Sequence, residues 1–266
     1  MDRDIFEPEH DDFRDSVRRF IADEISPNFE QWEEEGTVPR ELFAKAGEKN
    51  MLAIAAPEEY GGMGIDDFRF NQVIVEEGSY AGVIGSILGI TLHNDICLPY
   101  FLEYCNEEQR ERWLPGIVDG SLITAIAMTE PGIGSDLASM STKAIKDGDH
   151  YVVDGSKTFI TNGINADLII AAVKTDPKEK HRGMSIMILE RGMDGFERGR
   201  NLDKVGMHSQ DTAELFFNEV PVPEANLLGN EGEGFKYLVF NLAQERLSIA
   251  VAGVAAARAC LDWTLE

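Results

Sequence analysis

The hydrophobic pattern of this chain changes period twice, and that limits the folds open to it more than any single motif does. Residues 11–25, DDFRDSVRRFIADEI, place Phe13, Val17, Phe20, Ile21 and Ile25 at i, i+4, i+7, i+8 and i+12. That is one face of an amphipathic helix, which Pro27 limits. Residues 39–52 open on Pro39 and continue in good helix formers, a second helix. Residues 66–104 hold one or two largely buried helices, and Gly82, Gly85 and Gly89 in them predict close helix approach. Residues 106–120 read as a short helix with Asn106 as N-cap and acids in its first turn. From residue 121 the runs become short, β-branched or apolar, and are separated by turn residues: 121–130, 150–163, 166–175, 183–191 and 212–223. Asp154-Gly155 predicts a hairpin between HYVV and SKTFIT, because a type I′ turn needs positive φ. Strands in such succession predict a barrel or sandwich rather than βαβ units. After residue 234 the helical pattern returns, rich in Ala and Leu, and runs to Glu266 with no stop signal.

The 266 residues suffice for one or two domains with a real core. The 48 acidic residues outnumber the 24 basic ones, a formal net charge of −24. Such a chain repels nucleic acid and anionic membranes, so neither is expected as a partner. Cys97, Cys105 and Cys260 are odd in number and form no CxxC pair. That argues against disulfide and metal roles and for a reduced cytoplasmic setting. The acidic N-terminus resembles neither a signal nor a transit peptide. The apolar stretch 80–92 is too short to span a bilayer, so no membrane insertion is expected. His93, His181 and His208 lack metal-ligand spacing, and His10 and His150 read as surface residues.

Two loops invite chemistry. MTEPGIGSD, residues 128–136, follows an apolar strand. Gly132 and Gly134 let the backbone approach a ligand, Thr129 and Ser135 add hydroxyls, and Glu130 and Asp136 can cap or brace the loop. A plain capped turn is the competing reading, since Gly-x-Gly alone is a weak signal. GSKTFITNG, residues 155–163, sets Phe159 two residues before Thr161, on the same side of a strand. An aromatic face with a nearby hydroxyl suits a flat heterocycle. The basic cluster 178–182 reads as a solvated hairpin tip, with CoA phosphates as the alternative contact.

AMTEPGIGSD followed by YVVDGSKTFITNG resembles the flavin-binding signature of the acyl-CoA dehydrogenase family. Residues 57–64, 106–120, 205–223 and 227–238 agree, so the resemblance covers almost the whole chain. It implies an α+β multi-domain fold with an α-helical N-terminal domain (1–121), a middle β-barrel domain (122–229) and the first helix of a C-terminal helical bundle (230–266). It implies FAD, its pyrimidine edge held by Ile126, Met128 and Thr129, with Gly134 and Ser135 further along the loop and Ser135 also meeting the acyl-CoA. Phe159 would pack on the isoalloxazine, with Ile160 and Thr161 near N5 and the ring edge. Many members carry Trp at this position, and the long-chain type commonly has Phe.

The family reaction removes an α-proton to a carboxylate and a β-hydride to flavin. In the long-chain and isovaleryl types that carboxylate lies on the first helix of the bundle, in a Glu-Arg pair. NLAQERLSIA, residues 241–250, puts Glu245 there as the base, with Arg246 beside it as a second substrate contact. An exposed Gln-Glu-Arg face is the competing reading. The resemblance further implies an electron-transferring flavoprotein as acceptor and a homo-oligomer, dimer or tetramer, when complete. Against family members the chain stops early in the bundle, which predicts a fragment, a split gene product or an incomplete chain. The alternatives are a non-catalytic remnant or assembly partner that needs the missing helices, and a flavin oxidase or monooxygenase on the same scaffold.

Overall fold

A computed structural model describes residues 4–266. Helices come first: α1 (Pro8–Phe20), α2 (Phe29–Glu35), α3 (Glu41–Glu48), α4 (Phe68–Tyr80), α5 (Ile84–Thr91), α6 (Leu98–Tyr104) and α7 (Glu107–Asp119). A π-helical stretch, Leu92–Cys97, joins α5 to α6 in one run. The strands follow: β1 (Thr124–Ala127), β2 (Lys143–Asp147), β3 (His150–Thr161), β4 (Leu168–Lys174), β5 (Met184–Glu190), β6 (Phe196–Asn201), β7 (Thr212–Pro223) and β8 (Leu227–Leu228). Helix α8 (Gly234–Leu265) closes the chain. The mixed α and β architecture matches the order read from the period changes. The Asn106 cap is formed as a full capping box, Gln109 Oε1 accepting the Asn106 N–H while Asn106 Oδ1 accepts from Gln109.

The sheet runs β6-β7-β3-β2-β4-β5-β8, with β1 pairing in parallel to β4. Strand β4 is buried along its whole length, because both its faces pack. Ile169, Ala171 and Val173 share a core with Tyr151, Val153, Leu215 and Phe217 of β3 and β7, so the sheet curls over itself. Leu168, Ile170 and Ala172 face the other way, toward Phe101, Trp113 and Ile117 of α6 and α7. A strand covered on both faces loses its polar alternation, which is why residues 166–175 read as a continuous apolar run.

The structure corrects four sequence-level expectations. No hairpin forms at Asp154-Gly155: β3 runs unbroken through it, with a register shift between Val153 and Gly155. The chain instead turns at Gly148-Asp149, one Asp-Gly earlier, where Asp147 pairs with His150 and Gly148 has φ +65°. Gly155, with φ +150°, allows close approach instead: a Cβ there would lie 2.6 Å from Thr142 Oγ1. His10 is buried, its Nδ1 accepting the Glu7 N–H and its Nε2 facing Asp67. Gly85 and Gly89 admit more than helices: besides Glu33 of α2 and Phe43 of α3, a Cβ at them would meet Ser209 at 2.9 Å and Asn162 at 2.5 Å. Finally, β3 bulges between Lys157 and Ile160, so strand alternation does not carry from Phe159 to Thr161.

Strands β2, β6 and β8 carried no readable signal. Only Ala144 is buried in β2, and half of β6 is charged; pairing with β3, β7 and β5 makes β2, β6 and β8 strands.

Candidate active site

The loop after β1 is tied to β3 by a buried ion pair. Lys157 Nζ lies 3.0 Å from Glu130 Oε1 and donates to the Met128 carbonyl at 3.1 Å. Glu130 Oε2 also accepts from the N–H and Oγ of Ser141, and Oε1 accepts from the Thr142 N–H. Burial works against the Glu130 charge, but the Lys157 ammonium and these donors outweigh it and hold the carboxyl well below its usual range. The Thr158 N–H donates to the Thr129 carbonyl at 2.9 Å. Backbone bonds between Glu130 and Ile133 close the turn around Pro131 and Gly132. Glu130 is thus the brace that the sequence suggested, while Asp136 accepts from Ser139 Oγ.

Phe159 stands out on this frame. It has φ +60° and keeps 68 % of its surface exposed, at the bulge of an otherwise well-buried strand. A bulky residue in the left-handed region costs about 1–3 kcal/mol, and such strain clusters at ligand sites. Of the other expected cofactor contacts, Ile126 and Ile160 are buried, and Met128, Thr129 and Thr161 are half-buried. Gly134 and Ser135 are exposed in the outer loop. An exposed, strained aromatic beside a braced loop with open space above Gly132 and Gly134 fits a flat, ring-bearing group such as FAD.

The second half of the site lies on α8. Glu245 is only 8 % exposed, and its Oε1 accepts from Tyr100 Oη at 3.0 Å. Burial pushes its carboxyl up; the Tyr100 hydrogen bond and the Arg246 charge pull partly back. Glu245 borders a shallow cleft of about 290 Å³ with Ile96, Leu242, Arg246 and Ile249. Arg246 is exposed at its edge. The competing reading of an exposed Gln-Glu-Arg face is therefore overturned for Glu245: the helix turns its glutamate inward and its leucine and isoleucine out.

No hydrogen bond joins the two halves among the described residues. They meet through one apolar cluster, which holds Ile126 and Tyr100 and packs Met128 and Ile96 at its edge. Lys157, Tyr100 and Asp95 are site neighbours that motif reading missed. Asp95 had a signal, as the single carboxylate in the apolar run 81–102; Tyr100 had none. The described residues contain no cluster of His, Cys, Asp or Glu able to hold a metal.

A braced loop, a strained aromatic and a buried carboxylate on a following helix lie on one helix–sheet–helix scaffold. Comparison with known proteins gives its family. Residues 7–121 match the acyl-CoA dehydrogenase N-terminal domain, and residues 125–220 match the middle domain. The chain belongs to the acyl-CoA dehydrogenase family, whose members bind FAD. It is 44 % identical over 264 residues to the long-chain specific acyl-CoA dehydrogenase of Sus scrofa, covering 98 % of this chain and 61 % of that protein. It is 37 % identical to the isovaleryl-CoA dehydrogenase of Arabidopsis thaliana, over 94 % of this chain and 61 % of that one. An acyl-CoA dehydrogenase from Geobacillus kaustophilus superimposes with a TM-score of 0.93 at 52 % identity, covering 97 % of this chain and 68 % of that one. One from Bacillus anthracis, complexed with FAD, gives 0.87 at 32 % identity over 96 % of this chain and 43 % of that one. The chain thus spans about six tenths of the length of the curated relatives.

Proposed function

We propose that this chain carries the flavin and base halves of an acyl-CoA α,β-dehydrogenase site, yielding a trans-2-enoyl-CoA in fatty acid or branched-chain acyl breakdown. The observation that carries this reading is the inward-turned Glu245, a buried carboxylate on the edge of an apolar cleft. An α-C–H beside a thioester is a weak acid, so its base works best with a raised pKa in a dry setting. Glu245 takes the α-proton on its carboxylate, and Tyr100 orients that carboxylate through its hydroxyl. Met128, Thr129, Gly134, Ser135, Phe159, Ile160 and Thr161, with Ile126 behind them, would hold FAD, which supplies a hydride acceptor for the β-hydrogen. Ser135 and Arg246 face the thioester substrate, Arg246 as a fixed positive charge. In this reading electrons leave to an electron-transferring flavoprotein, the complete protein is a homo-oligomer, and it works in the cytoplasm.

The test is the visible spectrum of the purified chain before and after anaerobic addition of a saturated long-chain acyl-CoA. A flavin band that bleaches supports the reading, and a chain that takes up no flavin overturns it. A second reading, an assembly partner without turnover, is favoured by the bare apolar side of α8, where Phe240, Ile249, Val254 and Leu265 are exposed. Gel filtration separates the two: a flavin-loaded homo-oligomer speaks against the assembly partner.

A further inference from the structure

Helix α8 is long and apolar enough by composition to cross a membrane, yet the flank it packs inward is polar at its centre. Its buried residues are Gly234, Tyr237, Leu238, Asn241, Glu245, Ser248, Ala255 and Ala259. Between Leu238 and Ala255 the fully buried positions of that seam are Asn241, Glu245 and Ser248, and the apolar Leu242 and Val251 beside them are only half-buried. Leu247 and Ile249 point away from it and are exposed. No fully buried apolar side chain fixes the rotation of α8 where Glu245 sits, and the buried contacts there are polar.

Those contacts run in order along one helical stretch. Tyr104 Oη lies 3.4 Å from Asn241 Nδ2, Tyr100 Oη donates to Glu245, and Asp95 Oδ2 accepts from Ser248 Oγ at 2.5 Å. The backbone carbonyl of Asp95 also accepts from Gln244 Nε2 at 2.8 Å. Asp95 thus grips the residues one before and three after Glu245. It is itself fixed: 1 % exposed, seated in the π-helical stretch, its Oδ1 accepting from Asn71 Nδ2 of α4 at 2.7 Å. No basic side chain pairs with it among the described residues. An expensive buried carboxylate with no counter-ion calls for a role.

We infer that Asp95 is a positioning residue for the base: it holds α8 in the rotation that turns the Glu245 carboxylate toward Tyr100 and the cleft. The inference rests on the reading of Glu245 as the base. Burial pushes the Asp95 carboxyl up to about 7, so the clamp does not depend on a full negative charge. An amide of the same shape can replace it, its oxygen accepting from Asn71 and its nitrogen donating to Ser248 Oγ.

The experiment compares the 266-residue chain with its Asp95→Ala, Asp95→Asn and Ser248→Ala variants. It reads hydrogen exchange across residues 241–250 and, on flavin-loaded protein, the rate and acyl-CoA dependence of anaerobic bleaching. Asp95→Ala is expected to speed amide exchange in that segment at least about tenfold. It should also cut the limiting bleaching rate by about 100-fold without changing the apparent acyl-CoA affinity, because a misplaced base loses rate rather than binding. Asp95→Asn should stay within about threefold of the parent. Unchanged exchange and rate in Asp95→Ala overturn the inference, and so does an Asp95→Asn variant as impaired as the alanine one. If Asp95→Ala does not fold, Ser248→Ala breaks the same bond from the α8 side, and parent-like exchange and rate there overturn the inference. If the parent chain itself never bleaches, the dehydrogenase reading falls, while the exchange comparison still decides whether Asp95 clamps the helix.

Discussion

The two halves of the site are held by different means. The loop 128–142 and strand β3 are knit by a buried ion pair, by several hydrogen bonds to one carboxylate and by backbone pairing, all within the sheet region. The Glu245 half hangs on a helix with one packed flank, where a few polar contacts stand between the correct rotation and a wrong one. The first half is rigid because its parts brace one another; the second is precise only while its clamp holds. Cofactor affinity and base alignment should therefore fail separately under mutation.

The largest separation is expected from Glu245→Gln. It keeps the Tyr100 hydrogen bond and removes the proton acceptor, so anaerobic bleaching by an acyl-CoA should slow by about 10²–10⁴-fold while flavin stays bound. Flavin loss instead would show that the halves are not independent. Lys157→Met should act in the opposite sense. It strands Glu130 as a buried charge and should cost about 3–5 kcal/mol in urea unfolding, with flavin uptake lost alongside. Parent-like stability would mean that the brace is ornamental.

The pH dependence of stability sharpens the comparison on the helix side. The Asp95 carboxyl has a folded-state pKa of about 7 against an ordinary 3.8. The folded chain then holds more protons than the unfolded chain between those values. Its contribution is fully present below about 4 and is lost as pH rises toward 7, at up to ~1.4 kcal/mol per pH unit. Asp95→Asn should flatten that slope in urea midpoints taken across the range. On the sheet side, Phe159→Gly should relieve the positive φ and raise stability by about 1 kcal/mol while weakening FAD binding in a fluorescence titration. Smallest of all, Val254→Gln on the bare side of α8 should change stability by no more than about 0.5 kcal/mol. A larger loss there would place that face against something in solution.

Much of this was legible because local patterns carry local structure. The 3.6-residue spacing of Phe13, Val17, Phe20, Ile21 and Ile25 predicted a helix and its buried face; the last four are buried and Phe13 is half-buried, though Ile21–Ile25 winds as a π-helical turn. Asn106 announced its capping box. The paired glycine-rich loops, through their family resemblance, pointed to the region that holds Thr129 and Phe159. What stayed illegible depended on partners distant in sequence. Two Asp-Gly pairs lie seven residues apart, and each can turn a hairpin on its own. Only the pairing of β3 with β2 and β7 selects the first and flattens the second into a bulge. His10 reads as polar and exposed until α4 covers it.

The sequence by itself determined the order of helices, strands and helix, the flavin-type loops and the candidate base, since each rests on spacing or motif within a few residues. Tertiary structure alone decided that Lys157 neutralises Glu130 across 27 residues and that Glu245 turns inward across 145 from Tyr100. It also decided that Asp95 holds Gln244 and Ser248, on either side of Glu245. Burial and pairing are properties of surroundings that the folded chain assembles, and a buried charge draws its energy from neighbours that no local pattern names.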